Sequence, residues 1–212
     1  MKRVVGAPTV NTGINYWPAM IDMLTSMLMF FLLLYFVEHR FGARSAELAN
    51  ARQRQQEFAA LFQDEFRDEI AAGDISVTEI FQILQIRFGE RVLFRTGSSE
   101  LLPQGESIMG RLARVLSQAG GGMTGAMYEQ IQIEGHTDDQ PLNSADYPHD
   151  NWELSTARAM AVLQFLTRRA TSRLEEDRMS VNGYAQTRPV DLYHRAPNRR
   201  IELRIYFSGK PA

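Results

Sequence analysis

Cysteine is absent from the 212 residues, which removes disulfides, thiolate metal centres and a cysteine nucleophile together. The redox compartment stays open, because an exported domain with a large enough core folds without disulfides. An excess of charge of one sign is also missing. Against 25 Asp and Glu stand 23 Lys and Arg, a formal net charge of -2, which argues against a dedicated electrostatic binder of nucleic acid, so no direct nucleic-acid partner is expected. The glycine run from Gly120 to Gly122 lacks the spacing and the preceding strand of a phosphate-binding loop and reads as a linker. The four histidines, His39, His136, His149 and His194, fall in different segments without metal-ligand spacing, so no metal is expected. Long hydrophobic runs are scarce: the mean hydropathy of -0.27 leaves room for only a short membrane element.

Pro18 to Val37 supplies that element, twenty residues or about 30 Å of helix, the hydrocarbon thickness of a bilayer. Asp22, Thr25 and Ser26 are its only strongly polar members. A cleaved signal peptide fits poorly. The basic start is limited to Lys2 and Arg3, fourteen mostly uncharged residues precede Pro18, and the run exceeds an h-region of about 7 to 15 residues. No small-residue cleavage site closes it, although Ala43 and Ala46 lie nearby. The pattern predicts an uncleaved anchor, with residues 1–17 as a tail and 18–37 as a transmembrane helix. Lys2 and Arg3 at one end nearly match Arg40 and Arg44 at the other, so charge alone does not orient it.

Residues 38–76 read as a linker helix. Its first half is polar; further on, Phe58, Leu61, Phe62, Phe66 and Ile70 recur at three- and four-residue spacing beside a charged face, and Gly73-Asp74 ends it. Such a stripe packs either on the chain's own domain or on a second copy. After a short connector, Gln85–Phe88 and Arg91–Phe94 flank Gly89-Glu90 as a hairpin-like pair. Glu106–Gln118 is an amphipathic helix, Tyr128–Glu134 a strand running into Gly135-His-Thr-Asp138, and Leu154–Arg168 a second helix. Met179–Tyr184 and Ile201–Phe207 are further strands. The order predicts a compact α+β sandwich over residues 77–208, with the helices to one side.

Five motifs in this region occur in a recognisable order. Val92-Leu-Phe94 with Gly97-Ser98 and Glu100-Leu101, Ile133-Glu-Gly-His-Thr-Asp138, Asn151-Trp-Glu-Leu-Ser-Thr-Ala-Arg-Ala159, Val181-Asn-Gly-Tyr184 with Pro189, and Asn198-Arg-Arg-Ile-Glu202 resemble the signature of the OmpA-like peptidoglycan-binding domain, over residues 84–207. Joined to a single N-terminal span with an aspartate just inside it, the domain resembles the MotB class of ion-driven stator subunits. The short, nearly uncharged tail and the Gln/Arg/Glu-rich helix look more like the ZorB component of the Zorya anti-phage system than like the flagellar subunit, which is the alternative. The resemblance implies no enzyme activity and no cofactor, only H⁺ or Na⁺ as the translocated ion. It implies peptidoglycan as a partner, and a homodimer inside a pentameric ring of a MotA-like multi-span protein; the defence reading adds cytoplasmic effectors. It also orients the chain in a bacterial inner membrane, N-terminus cytoplasmic and C-terminal domain periplasmic.

Asp22 has two readings: an interfacial residue that snorkels or caps the start of the helix, or a protein-facing carboxylate. A charged aspartate near mid-span costs roughly 2.5 to 3.5 kcal/mol on insertion scales, so at depth it faces protein and serves function. Thr25, Ser26, Met29 and Leu33 share its side of the helix. A carboxylate that alternates between charged and neutral forms is an ion relay, and since one span encloses no pore, partner helices must complete the path. Asp22, Thr25 and Ser26 are the expected ion-translocating residues.

Asp138 and Arg158 could be a turn residue and a surface ion pair. The resemblance implies instead that they hold the ionised ends of the diaminopimelate residue of the peptidoglycan stem, carboxylate to ammonium and guanidinium fork to carboxylate. Thr137, Asn151, Leu154, Asn198 and Arg199 complete the expected rim. Tyr147, Pro148 and His149, in a long loop, are expected to modulate access. His136 is expected to hydrogen-bond within its turn, and Ser155, with no base placed for it, to start a helix. A structural wall tether without ion flow explains everything except Asp22. A wall-cleaving hydrolase needs a paired-carboxylate or metal arrangement that the sequence does not show.

Overall fold

A computed structural model describes residues 16–120, 127–141, 150–169 and 176–207 of the chain. They fall into two units, Met1–Ser45 and Ala46–Ala212. In the first, the helix α1 (Trp17–Glu65) begins. Its stretch Trp17–His39 has a mean hydropathy of 2.1 and no buried residue, long and apolar enough to cross a membrane. Asp22 lies beyond the first helical turn, which contains no acidic residue, so it does not cap the helix. The Thr25 hydroxyl donates to the carbonyls of Ile21 at 2.8 Å and Asp22 at 2.9 Å, closing a polar group onto the helix backbone.

The second unit is a five-stranded sheet with helices on its apolar face. The strands are β1 (Ile75–Ile80), β2 (Ile83–Gly89), β3 (Gln130–His136), β4 (Met179–Gly183) and β5 (Arg200–Tyr206), in the order β1-β2-β5-β3-β4. Only β3 and β4 are parallel, joined across the helix α5 (Asn151–Arg169); the other pairs are antiparallel. Alternation along the strands sends Leu84, Ile86 and Phe88, Ile131 and Ile133, and Ile201, Leu203 and Ile205 to one face, all buried. Against them pack Ile108, Leu112 and Leu116 of α4 (Pro103–Gly120) and Ala159, Val162 and Leu166 of α5.

The phenylalanine stripe at the C-terminal end of α1, continued by Phe66 just beyond it, enters this same core. Phe58 lies 5.8 Å from Phe207 and Phe62 6.4 Å from Phe88, ring to ring, and Phe66 stacks on Phe62 beneath the Arg111 guanidinium. All three phenylalanines are fully buried, each worth roughly 1.5 to 3 kcal/mol of apolar burial. Of the two partners open to the stripe, the chain's own domain is the one it packs on. A short helix, α2 (Arg67–Ala71), follows, and Gly73 at φ +76° ends it where expected, its amide and that of Asp74 returning to Ile70 and Glu69.

The hairpin lies one strand earlier than the sequence pattern predicts. It joins β1 to β2, Ile75 opposite Phe88 and Ile80 opposite Ile83, through a turn in which Phe81 takes φ +51°. Residues 91–94 form no strand: Glu90–Leu93 is one helical turn, α3. Val92, Leu93 and Phe94 are all buried, and three consecutive inward side chains are incompatible with strand alternation. The edge strand β1 carries little local signal, because only Ile75 and Val77 turn inward and its turn lacks the Asn-Gly or Asp-Gly pattern.

Candidate functional site

Two glycines let a helix end touch the sheet. Gly135 of β3 and Gly183 of β4 are register partners, and α5 begins directly over them. A Cβ on Gly135 would stand 1.9 Å from the Ser155 carbonyl oxygen, and one on Gly183 would stand 2.1 Å from Thr156 Oγ1 and 2.8 Å from the Thr156 amide. Ser155, fully buried, locks the contact: its hydroxyl donates to the Trp152 carbonyl at 3.0 Å and accepts the Ala185 amide at 3.1 Å. Ser155 was expected to start the helix; α5 instead starts at Asn151 and Ser155 is its fifth residue, tying it to the segment after β4. The chain leaving β3 is pinned by the Thr137 amide on Ala185 and by the Asn151 side chain on the carbonyls of Asp138 and Gln140. Asp138 is thereby fixed in the lining of a cleft of about 570 Å³, a size suited to a small guest.

Six of the seven residues expected to bind the wall line this cleft: Thr137, Asp138, Asn151, Leu154, Arg158 and Arg199. Asn198 lines the adjoining one. Its amide is engaged by the loop before β5, accepting from Val190 and Asp191 and donating to the carbonyls of Asp191 and His194, so it shapes the loop that carries Arg199. Tyr147, Pro148 and His149 lie outside the described residues.

Asp138 and Arg158 do not pair directly. Among the described residues they are linked by a chain of four alternating charges through Arg199 and Glu90. Arg158, 2 % exposed, meets Glu90 and donates from Nε to the Ser98 carbonyl at 2.9 Å, with its guanidinium 5.4 Å from the Phe94 ring centre. Arg199 reaches Glu90 at 2.8 Å and Asp138 at 2.7 Å. The hydrogen bond to Asp138 holds the Arg199 guanidinium above its ordinary range; partial burial opposes it and the charge of Glu90 adds to it. Glu90 opens α3 at the end of β2, 68 residues before Arg158, and no local pattern in the sequence marks it.

The opposite face of the sheet carries a second charged layer. Glu202 accepts from Arg87 at 3.0 Å and from Arg200 at 2.6 Å, and Arg200 also donates to the carbonyls of Arg188 and Asn198, holding the loop before β5 to the sheet. His136, Glu134 and Glu202 bring potential metal-ligand atoms within 4.8 Å of one another. The arginines on Glu202, with Arg204 3.5 Å from Glu134, supply the positive charge that a metal ion would bring. His136 was expected to hydrogen-bond in its turn; instead it stacks on Tyr184 and stands 3.5 Å from Glu134, beyond ordinary hydrogen-bond length.

Burial pushes the His136 imidazole below its ordinary pKa of 6.5, while Glu134 partly opposes this. The unfolded chain therefore takes up a proton that the fold resists. The stability His136 contributes is complete above pH 6.5 and is lost as pH falls from there towards the lowered value. The melting temperature of the detergent-solubilised chain should drop between pH 7.5 and 5.5, and His136→Gln should flatten that drop; an unchanged slope would show that His136 is not its source.

The sheet order, the glycine-seated helix and the charged cleft define the class. The OmpA family model matches residues 93–202, and the chain belongs to the OmpA family, whose domains are structural and wall-binding rather than catalytic. The chain is 37 % identical over 120 residues to the uncharacterized protein YtxE of Bacillus subtilis, covering 55 % of this chain and 45 % of YtxE. It is 36 % identical over 134 residues to motility protein B of Escherichia coli, covering 61 % of this chain and 39 % of that protein. Each match thus spans less than half of the relative's length. Among solved structures, a protein described as MotB-like from Desulfovibrio vulgaris superposes with a TM-score of 0.61 at 25 % identity, over 76 % of this chain and 96 % of the other. The cell wall anchor of the type VI secretion system of Pseudomonas aeruginosa gives 0.58 at 26 %, over 68 % and 96 %.

Proposed function

We propose that the chain is a wall-anchored, single-span stator subunit of an ion-driven membrane machine. One observation carries the reading: a single chain joins an apolar span, whose uninterrupted run 18–37 bears one acidic residue, Asp22, to an OmpA-family domain with a charged cleft. In this reading α1 crosses the inner membrane with residues 1–17 cytoplasmic. Asp22, with Thr25 and Ser26, meets the helices of a MotA-like multi-span partner, and two copies of the chain sit within a pentameric ring of that partner. H⁺ or Na⁺ passes at Asp22. The periplasmic domain grips peptidoglycan, Asp138 taking the ammonium of a diaminopimelate end and the cleft guanidiniums of Arg158 and Arg199 its carboxylate. Thr137, Asn151, Leu154 and Asn198 shape the rim.

Similarity to motility protein B and to a MotB-like fold favours a motility-type machine. The anti-phage alternative of the Zorya type, with its cytoplasmic effectors, rests on the character of the tail and the post-span helix alone.

Co-sedimentation of the detergent-solubilised chain with purified sacculi tests the anchoring half. Asp138→Ala should reduce the bound fraction roughly tenfold, on the scale of losing one charge-assisted contact in a buried site, while Asp22→Asn should leave it unchanged. Equal binding by Asp138→Ala would remove the cleft from the wall contact.

A further inference from the structure

Glu90 sits at the centre of the cleft's charges, and the reading above gives it no task. Its side chain is 9 % exposed, with one carboxylate oxygen on Arg158 and the other on Arg199. Its backbone amide donates to the Arg199 carbonyl at 3.0 Å, so the residue is held from both ends. Among the described residues, the two guanidiniums of Arg158 and Arg199 and the two carboxylates of Glu90 and Asp138 balance in formal charge. The rim adds Asp74 and Arg91, which pair with each other at 2.6 Å.

We infer that Glu90 is the charge-selecting residue of the cleft: by holding both guanidiniums it makes the site neutral, so the guest accepted best carries an ammonium and a carboxylate side by side. This rests on the wall-binding reading and names what sets its selectivity. A lone carboxylate entering the cleft must compete with Glu90 for Arg158 and Arg199 and lies beside two anions. A lone ammonium gains Asp138 but faces the guanidinium of Arg199, 37 % exposed and nearest the opening. A zwitterion exchanges partner for partner: its ammonium takes Asp138, and its carboxylate takes the side of Arg199 that Asp138 gives up. Glu90 keeps the two arginines from turning the cleft into a general anion trap.

Calorimetric titration of the full chain in detergent with three stem tetrapeptides tests the inference. Their third residue is meso-diaminopimelate with its free end intact, amidated (ammonium only) or N-acetylated (carboxylate only). The intact peptide should bind best to the unmodified chain. Glu90→Gln should shrink the preference for intact over N-acetylated peptide roughly tenfold and widen that for intact over amidated peptide, since the negative charge held between the two guanidiniums is lost. Glu90→Asp should keep the original order. Arg199→Gln removes a positive charge from a more exposed position and should shift both ratios the other way, which keeps the test open if Glu90→Gln fails to fold. Unchanged ratios in the folded variants, with Asp138-dependent binding intact, overturn the role of Glu90 alone. No binding of any peptide by the unmodified chain overturns both this inference and the wall-binding reading.

Discussion

Asp22→Asn should abolish ion-driven output while leaving the chain in the membrane and on the wall. The exchange is nearly isosteric, and Thr25 bonds the backbone carbonyl of Asp22 rather than its side chain, so the helix is undisturbed. What disappears is the one carboxylate of the apolar run 18–37. Each monovalent ion moving with the field releases roughly 2.3 kcal/mol per 100 mV, and in the proposed stator reading that energy reaches the machine through the Asp22 carboxylate. The measurement is acidification or sodium loading of the cytoplasm in cells that express the chain with the proposed MotA-like multi-span partner, read beside sacculus binding. Asp22→Asn should fall to the level of cells lacking the chain, and Asp22→Glu should retain part of the flux. Full flux in Asp22→Asn would leave the chain a tether.

The second large effect belongs to Gly135. Gly135→Ala places a methyl group 1.9 Å from the Ser155 carbonyl oxygen, and backbone stands there on both sides, so β3 and α5 must move apart. The expected loss of stability is on the order of 3 kcal/mol or more, the upper range for overpacking a buried contact. The contacts separated are those that seat Asp138 and Arg158 in one cleft, so sacculus binding should fail even where the chain still folds at low temperature. Gly110 is the internal control. Nothing lies within 4 Å of a Cβ there, and in mid-α4 alanine should stabilise by about 0.5 to 1 kcal/mol through lower backbone entropy in the unfolded chain. Thermal melts of the two variants should move in opposite directions; parallel shifts would contradict the close packing of α5 on Gly135.

Legibility of the fold followed the strength of local periodicity. The helices α4 and α5 and the strands β3, β4 and β5 were readable because their apolar spacing is regular over whole elements and their ends carry glycine or charged turns. The first hairpin was misplaced by one strand, since β1 shows only two inward apolar residues and the run from Val92 to Phe94 imitates a strand while burying every member. The start of the cleft at Asp138, Asn151 and Arg158 was visible through motif resemblance. Glu90 was not, because its meaning comes from two arginines 68 and 109 positions away, and no short window contains them together.

By itself the sequence determined the apolar run with its single acidic residue, the absence of thiol chemistry and the alternation that makes one face of each strand apolar. These are properties of composition and of the two- and 3.6-residue periods, which need no distant contact. Tertiary structure alone decided that the phenylalanine stripe of α1 packs into the chain's own core, that Gly135 and Gly183 face each other beneath α5, and that Asp138 and Arg158 communicate through Arg199 and Glu90. Each of these depends on which surfaces meet once the sheet is ordered β1-β2-β5-β3-β4, and burial then fixes the charges: a guanidinium as enclosed as Arg158 requires a carboxylate beside it, and the fold supplies Glu90.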